Sequence, residues 1–131
     1  MKFGKKLIAS TSIIVASLAV AVTAFANTDT KNVNGYGTLK GTLSASGSTA
    51  NYSTSVSSNS DRAYLTIAGS AQNVNGTTVI TKSQINSSRG ATSYNGYLSP
   101  LGSNVYVVYG THGVQGGSTY SADAVFTYTH L

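Results

Sequence analysis

The C-terminal stretch Tyr120-Ser121-Ala122-Asp123-Ala124-Val125-Phe126-Thr127-Tyr128-Thr129-His130-Leu131 decides the fold. Ala122, Ala124, Phe126 and Tyr128 fall on one side of an extended chain, and Val125 falls on the other. Side chains of a strand alternate between two faces, so this spacing predicts a β-strand. Val, Thr, Tyr and Phe also fit a pleated, half-buried surface.

The same signature recurs upstream. Tyr36–Ala45 sets Leu39 and Leu43 on one face and Thr38, Lys40 and Thr42 on the other. Asn51–Ser57 places Tyr52, Thr54 and Val56 together, and Ala63–Ser70 does the same for Leu65 and Ile67. Thr77–Lys82, Thr92–Leu98 and the apolar run Val105–Tyr109 complete the set, the last with the character of a central strand. Asn34-Gly35, Ser46-Gly47-Ser48, Asn75-Gly76 and Asn95-Gly96 read as turns, because Asn and Gly tolerate positive φ. Ser57–Asp61, Ser99–Gly102 and Gly110–Ser118 read as loops, as does the Ser/Asn-rich Lys82–Ser88. No long window carries a helical period. The expectation is an all-β domain, a small antiparallel β-sandwich or barrel of about 6–8 strands.

The N-terminus has a different character. Lys2, Lys5 and Lys6 precede an apolar stretch from Leu7 to Thr23, and Ala24-Phe25-Ala26 is a small-x-small cleavage triplet. Residues 1–26 read as a bacterial secretory signal peptide. The alternative, an uncleaved anchor helix, is opposed by the hydroxyls Ser10, Thr11, Ser12 and Ser17 within the stretch. Residues 27–34 read as a flexible tail and residues 35–131 as one β domain. After cleavage no further apolar span remains, which predicts a secreted protein, free or associated with the cell surface.

Removing the leader changes the charge argument. The full chain of 131 residues has a net charge of +5, with 8% charged residues. Beyond residue 26, Lys31, Lys40, Arg62, Lys82 and Arg89 face Asp29, Asp61 and Asp123. The basic bias is therefore largely a property of the leader, and a nucleic-acid partner loses its main support.

Composition excludes several chemistries. The chain has no cysteine, hence no disulfide, thiol nucleophile or cysteine-held metal. It has no glutamate, and no serine lies in a Gly-x-Ser-x-Gly elbow. His112 and His130 are not in ligand spacing, and Asp61-Arg62 reads as a solvated turn pair. No enzyme activity, metal or cofactor is expected. His112 sits in Gly110-Thr111-His112-Gly113-Val114-Gln115-Gly116-Gly117, where a mobile Gly-rich loop would present it as a ligand-binding group or as an ordinary loop histidine.

Nine tyrosines are the most informative feature. Exposed on a sheet they form a stacking and hydrogen-bonding platform for a glycan or protein; buried, they replace missing Phe and Trp in the core. Tyr94 and Tyr97, flanking the Asn95-Gly96 turn signal, are the tyrosines expected outside, and with His112 they form the candidate ligand-binding set.

Gly35-Tyr36-Gly37, Asn51-Tyr52-Ser53 and the aromatic terminal strand Ala124–Tyr128 resemble the lactococcin 972-like secreted bacteriocins. The resemblance implies a leader-bearing, cysteine-free β-sandwich that inhibits neighbouring cells through a cell-envelope precursor. The family's tryptophans are absent here, and the domain is longer. The leading expectation is a secreted, non-enzymatic binding or interaction domain acting extracellularly or at the cell wall, on a wall glycan or a protein partner. A bacteriocin-like effector and a self-assembling structural protein are the alternatives.

Overall fold

The computed structural model describes the backbone of residues 24–131 and the side chains of residues 27–131. The leader assigned to residues 1–26 lies outside the described side chains. Among the described residues eight strands follow one another: β1 Ala24–Val33, β2 Gly37–Ser46, β3 Thr49–Ser55, β4 Tyr64–Gln72, β5 Thr78–Asn86, β6 Ser93–Leu98, β7 Val107–Gln115 and β8 Asp123–His130. No helix occurs among the described residues. The strands form two antiparallel four-stranded sheets, β1-β2-β3-β6 and β5-β4-β7-β8, packed as a β-sandwich.

Period-2 burial sets the register. On β2, Leu39, Gly41, Leu43 and Ala45 point inward; on β3, Ala50, Tyr52 and Thr54 do. On β4, Leu65, Ile67 and Ala71 face the second sheet's inner side, met by Val108, His112 and Val114 of β7 and Val125 of β8. A slip of one residue would turn each row outward, which fixes the pairing. The core divides into two apolar clusters. One gathers Leu43, Tyr52, Ile67, Leu98 and Val108; the other gathers Tyr36, Leu39, Leu65, Val114 and Val125. Burying each large aliphatic side chain contributes roughly 1.5–3 kcal/mol before ordering entropy is subtracted.

Four of the sequence expectations are corrected. Residues 27–34, expected as a flexible tail, form most of β1 and its turn, and β1 pairs with β2 along its whole length. Residues 27–32 are polar on both faces and Val33 alone of 27–33 is buried, so hydrophobic periodicity could not reveal this part of the strand. Asn95-Gly96 is not a turn but lies inside β6, where Gly96 opposes Tyr52. A Cβ at Gly96 would lie 2.9 Å from Ile85 Cδ1, so this glycine serves close approach of β5 rather than a positive φ. The residues read as a Gly110–Ser118 loop are mostly β7, and part of the expected Lys82–Ser88 loop is β5.

The open edges are managed. β5 carries two register irregularities against β4, between Ile67 and Gly69 and between Ala71 and Gln72, which interrupt the row an incoming strand would need. The β8 edge is closed by β1 side chains. Asp29 Oδ2 accepts from Phe126 N at 3.4 Å and Asn27 Oδ1 from Tyr128 N at 3.2 Å. Lys31 donates to Asp123 Oδ1 at 2.8 Å, which holds that carboxyl below its usual range.

Candidate functional site

His112 is buried in the middle of the sandwich, fully shielded from solvent, and not on a mobile loop. Its Nδ1 lies 3.1 Å from Thr54 Oγ1 and its Nε2 lies 2.8 Å from Thr127 Oγ1. Thr54 donates its single hydroxyl proton to the carbonyl of Thr66 at 3.0 Å. This assigns Nδ1 as the donor to Thr54 and Nε2 as the acceptor from Thr127. Burial pushes the His112 pKa down to about 4, against smaller upward effects of the Ser53 backbone and Asp29.

The glycines that suggested mobility make room for this ring. A Cβ at Gly41 would clash with the His112 ring, and one at Gly110 would stand 2.9 Å from both its Nε2 and Tyr52 Cε1. The Tyr52 hydroxyl donates to the Tyr109 carbonyl at 3.1 Å, and burial raises the Tyr52 pKa to about 12. The hydroxyl–imidazole pair resembles part of a catalytic constellation, but both side chains are sealed between the sheets, so no substrate reaches it.

Asp61 is also buried, contrary to the solvated pair expected for Asp61-Arg62. Its carboxylate accepts from the Tyr36 hydroxyl at 2.7 Å, the Ser118 hydroxyl at 3.0 Å and the amides of Thr119 and Tyr120 at 2.8 and 3.1 Å. Burial pushes its pKa up, but these four donors outweigh burial and hold it at about 2. Burial and the neighbouring carboxylate raise Tyr36 to about 12. The cluster ties the β1–β2 turn to the β7–β8 loop; Tyr36 and Tyr120 meet edge to face at 5.8 Å.

Tyr94, Tyr97 and His112 are not brought together. Tyr94 points inward from β6 and packs against both apolar clusters. Tyr97 points outward, 63% exposed, with Lys82 Nζ 5.7 Å from its ring centroid. His112 lies in the interior. Among the described residues no three His, Asp or Glu side chains group where they could hold a metal.

The aromatic concentration lies on the outer face of β7 and β8. Phe126 is 66% exposed and Tyr128 54%, with Tyr106, Tyr109 and His130 exposed beside them. Tyr109 opposes Tyr128 across the strand pair, with ring centroids 6.4 Å apart. Tyr128 lies 5.8 Å from His130, which lies 5.0 Å from Tyr106. The four rings thus form one continuous run, with Phe126 two residues from Tyr128 on the same face. The outer face of the other sheet is polar: Thr28, Thr42, Ser53 and Asn95 form one row across its four strands. Of the aromatic strip, the sequence showed the alternation of β8 but not which face is buried. The local signal pointed the other way: the hydroxyls of Thr127 and Thr129, in the row of Val125, suggest an exposed side, yet that row is the buried one.

No protein-family model matches the chain, and neither a curated protein nor a solved structure matches it.

Proposed function

We propose that this protein is a secreted, non-enzymatic binding domain that acts outside the cell or at its wall, and that the β7–β8 aromatic strip is its contact surface. The observation that carries the reading is the clustering of Tyr106, Tyr109, Phe126, Tyr128 and His130 on one outer face, opposite a sheet whose outer face is mostly polar with Tyr97 as a lone exposed ring. A solvent-exposed apolar cluster of this kind is unfavourable unless something covers it, and amphipathic rings suit a surface that is alternately wet and covered. The self-assembling alternative has less support, since β5 is bulged and the β8 edge is capped by Asn27 and Asp29.

The test is retention of the purified secreted protein on isolated cell walls, insoluble glycans and immobilised wall proteins. The wild type is retained on at least one of them. A Phe126→Ala, Tyr128→Ala double variant, with an unchanged circular-dichroism spectrum, is retained far less. Equal retention of the two proteins, or none of the wild type on any support, rejects the reading.

A further inference from the structure

Resting on that reading, we infer that the strip takes an uncharged polysaccharide, and takes it as single chains rather than as a flat crystalline surface. Three observations carry this.

The first is charge. β4, β7 and β8 together carry one aspartate and no lysine or arginine. That residue, Asp123, is in phase with the inward row and is paired with Lys31 of β1. Arg89 stacks over Tyr64, which is in register with Gln115 at the far end of β7 from the strip. A polyanion laid along Tyr106–Tyr109 and Phe126–His130 would find no lysine or arginine on these strands to replace its lost hydration, and a polycation would find only the Asp29 carboxylate of β1 at Phe126 N.

The second is the mixed character of the rings. Among the described residues, the hydroxyls of Tyr106, Tyr109 and Tyr128 make no hydrogen bond within the protein, while those of Tyr36 and Tyr52 do. Each exposed ring thus offers an apolar face beside an uncommitted donor and acceptor. A pyranose offers the complement, a C–H face rimmed by hydroxyls. The 5.0 and 6.4 Å steps cross between the β7 and β8 sides and the 5.8 Å step runs along β8, so the four rings form a two-by-two patch on which a short stretch of an extended sugar chain can rest.

The third is tilt. The ring planes of Tyr106 and His130 differ by 67°, those of Tyr128 and His130 by 89°, and those of Tyr109 and Tyr128 by 39°. Coplanar rings would suit the flat face of a crystal. Rings turned against one another instead form an uneven patch, to which a single chain can fit by rotating about its linkages.

The experiment is affinity electrophoresis of the secreted protein through gels holding hydroxyethyl cellulose, glycol chitin, a teichoic acid or heparin, at low and high salt. Pull-downs on amorphous and crystalline forms of cellulose and chitin accompany it. The expected result is retardation by an uncharged polymer, unaffected by salt, weakened about tenfold by Tyr128→Ala, with the amorphous form preferred. Retardation only by the polyanions, abolished by salt, overturns the inference. Preference for the crystalline forms overturns its single-chain part. Strip-dependent retention on whole cell walls without binding to any uncharged polymer overturns the ligand class while leaving the binding surface intact. Absence of retention on every support removes the underlying reading as well.

Discussion

Nε2 of His112 accepts a hydrogen bond from Oγ1 of Thr127, 2.8 Å away, in a layer of polar side chains that separates the two apolar clusters of the sandwich. With Thr54 on the other nitrogen, both ring nitrogens are partnered, so a neutral imidazole sits in the core without an orphaned polar atom. A protonated ring would have to donate from Nε2 while losing its hydration, which the site does not compensate.

Stability therefore falls with acid in a defined window. The His112 pKa is near 6.5 in the unfolded chain and about 4 in the fold. Above 6.5 both states carry a neutral ring and the full stability is present. As pH falls from 6.5 to 4 only the unfolded chain takes up the proton, and roughly 3 kcal/mol is lost in all. Urea midpoints measured across this range should fall toward pH 4 in the wild type. His112→Gln should be less stable at neutral pH but lose most of this slope; an unchanged slope would show that His112 does not cause it.

Gly41 tests the packing around the same ring. Gly41→Ala places a methyl group against the His112 side chain and should cost about 3 kcal/mol through overpacking. At Gly47 nothing lies within 4 Å, so Gly47→Ala meets only the penalty of its positive φ of 60°, about 1 kcal/mol. In a thermal-melt series, Gly41→Ala should cost less in a His112→Ala background than alone, because the contact with the ring is gone and only that with Cβ is left. Strict additivity would exclude the contact.

Asp61 should behave as a tie between loops that is lost at a lower pH than the His112 window. Its pKa falls from 3.8 in the unfolded chain to about 2 in the fold, so its contribution is complete above 3.8 and disappears as pH falls through 2. Asp61→Ala removes the acceptor for the Thr119 and Tyr120 amides. Hydrogen exchange at these two amides should accelerate at neutral pH in the variant, with the β4–β7 ladder protected as before. Unchanged exchange at both would contradict the tie.

The β1 caps predict a change in association. In an Asn27→Ala, Asp29→Ala variant the amides of Phe126 and Tyr128 lose their acceptors, leaving donors free along an aromatic edge. Light scattering at raised concentration should show faster association than in the wild type. Lys31→Ala removes a half-exposed ion pair and should cost no more than about 1 kcal/mol. If the double variant remains as monomeric as the wild type, the caps do not protect the edge.

Most of the sandwich was legible because strands such as β2, β3, β4 and β8 carry apolar or β-branched residues at period 2. Leu39 and Leu43, or Leu65 and Ile67, announce a buried face without reference to any neighbour. β1 escaped because Asn27, Asp29 and Lys31 serve β8, a strand almost a hundred residues away in sequence. Gly96, Gly110 and Gly113 misled for a related reason. A glycine that turns the chain and one that admits a distant side chain look the same in sequence, and only the second is true of Gly110 beside His112 and Tyr52.

The sequence by itself determined the all-β class, most strand positions, the near-neutral balance of residues 27–131 and the absence of cysteine chemistry, since each follows from composition or local alternation. Tertiary structure alone decided that His112 is interior, that Asp61 is a buried anchor, and that Tyr106, Tyr109, Phe126 and Tyr128 share one outer face. Alternation divides a strand into two sides, but the sheet packed against it chooses the inner one. On β8 the small row of Val125, Thr127 and Thr129 fits between the sheets, and the large aromatic row is left outside.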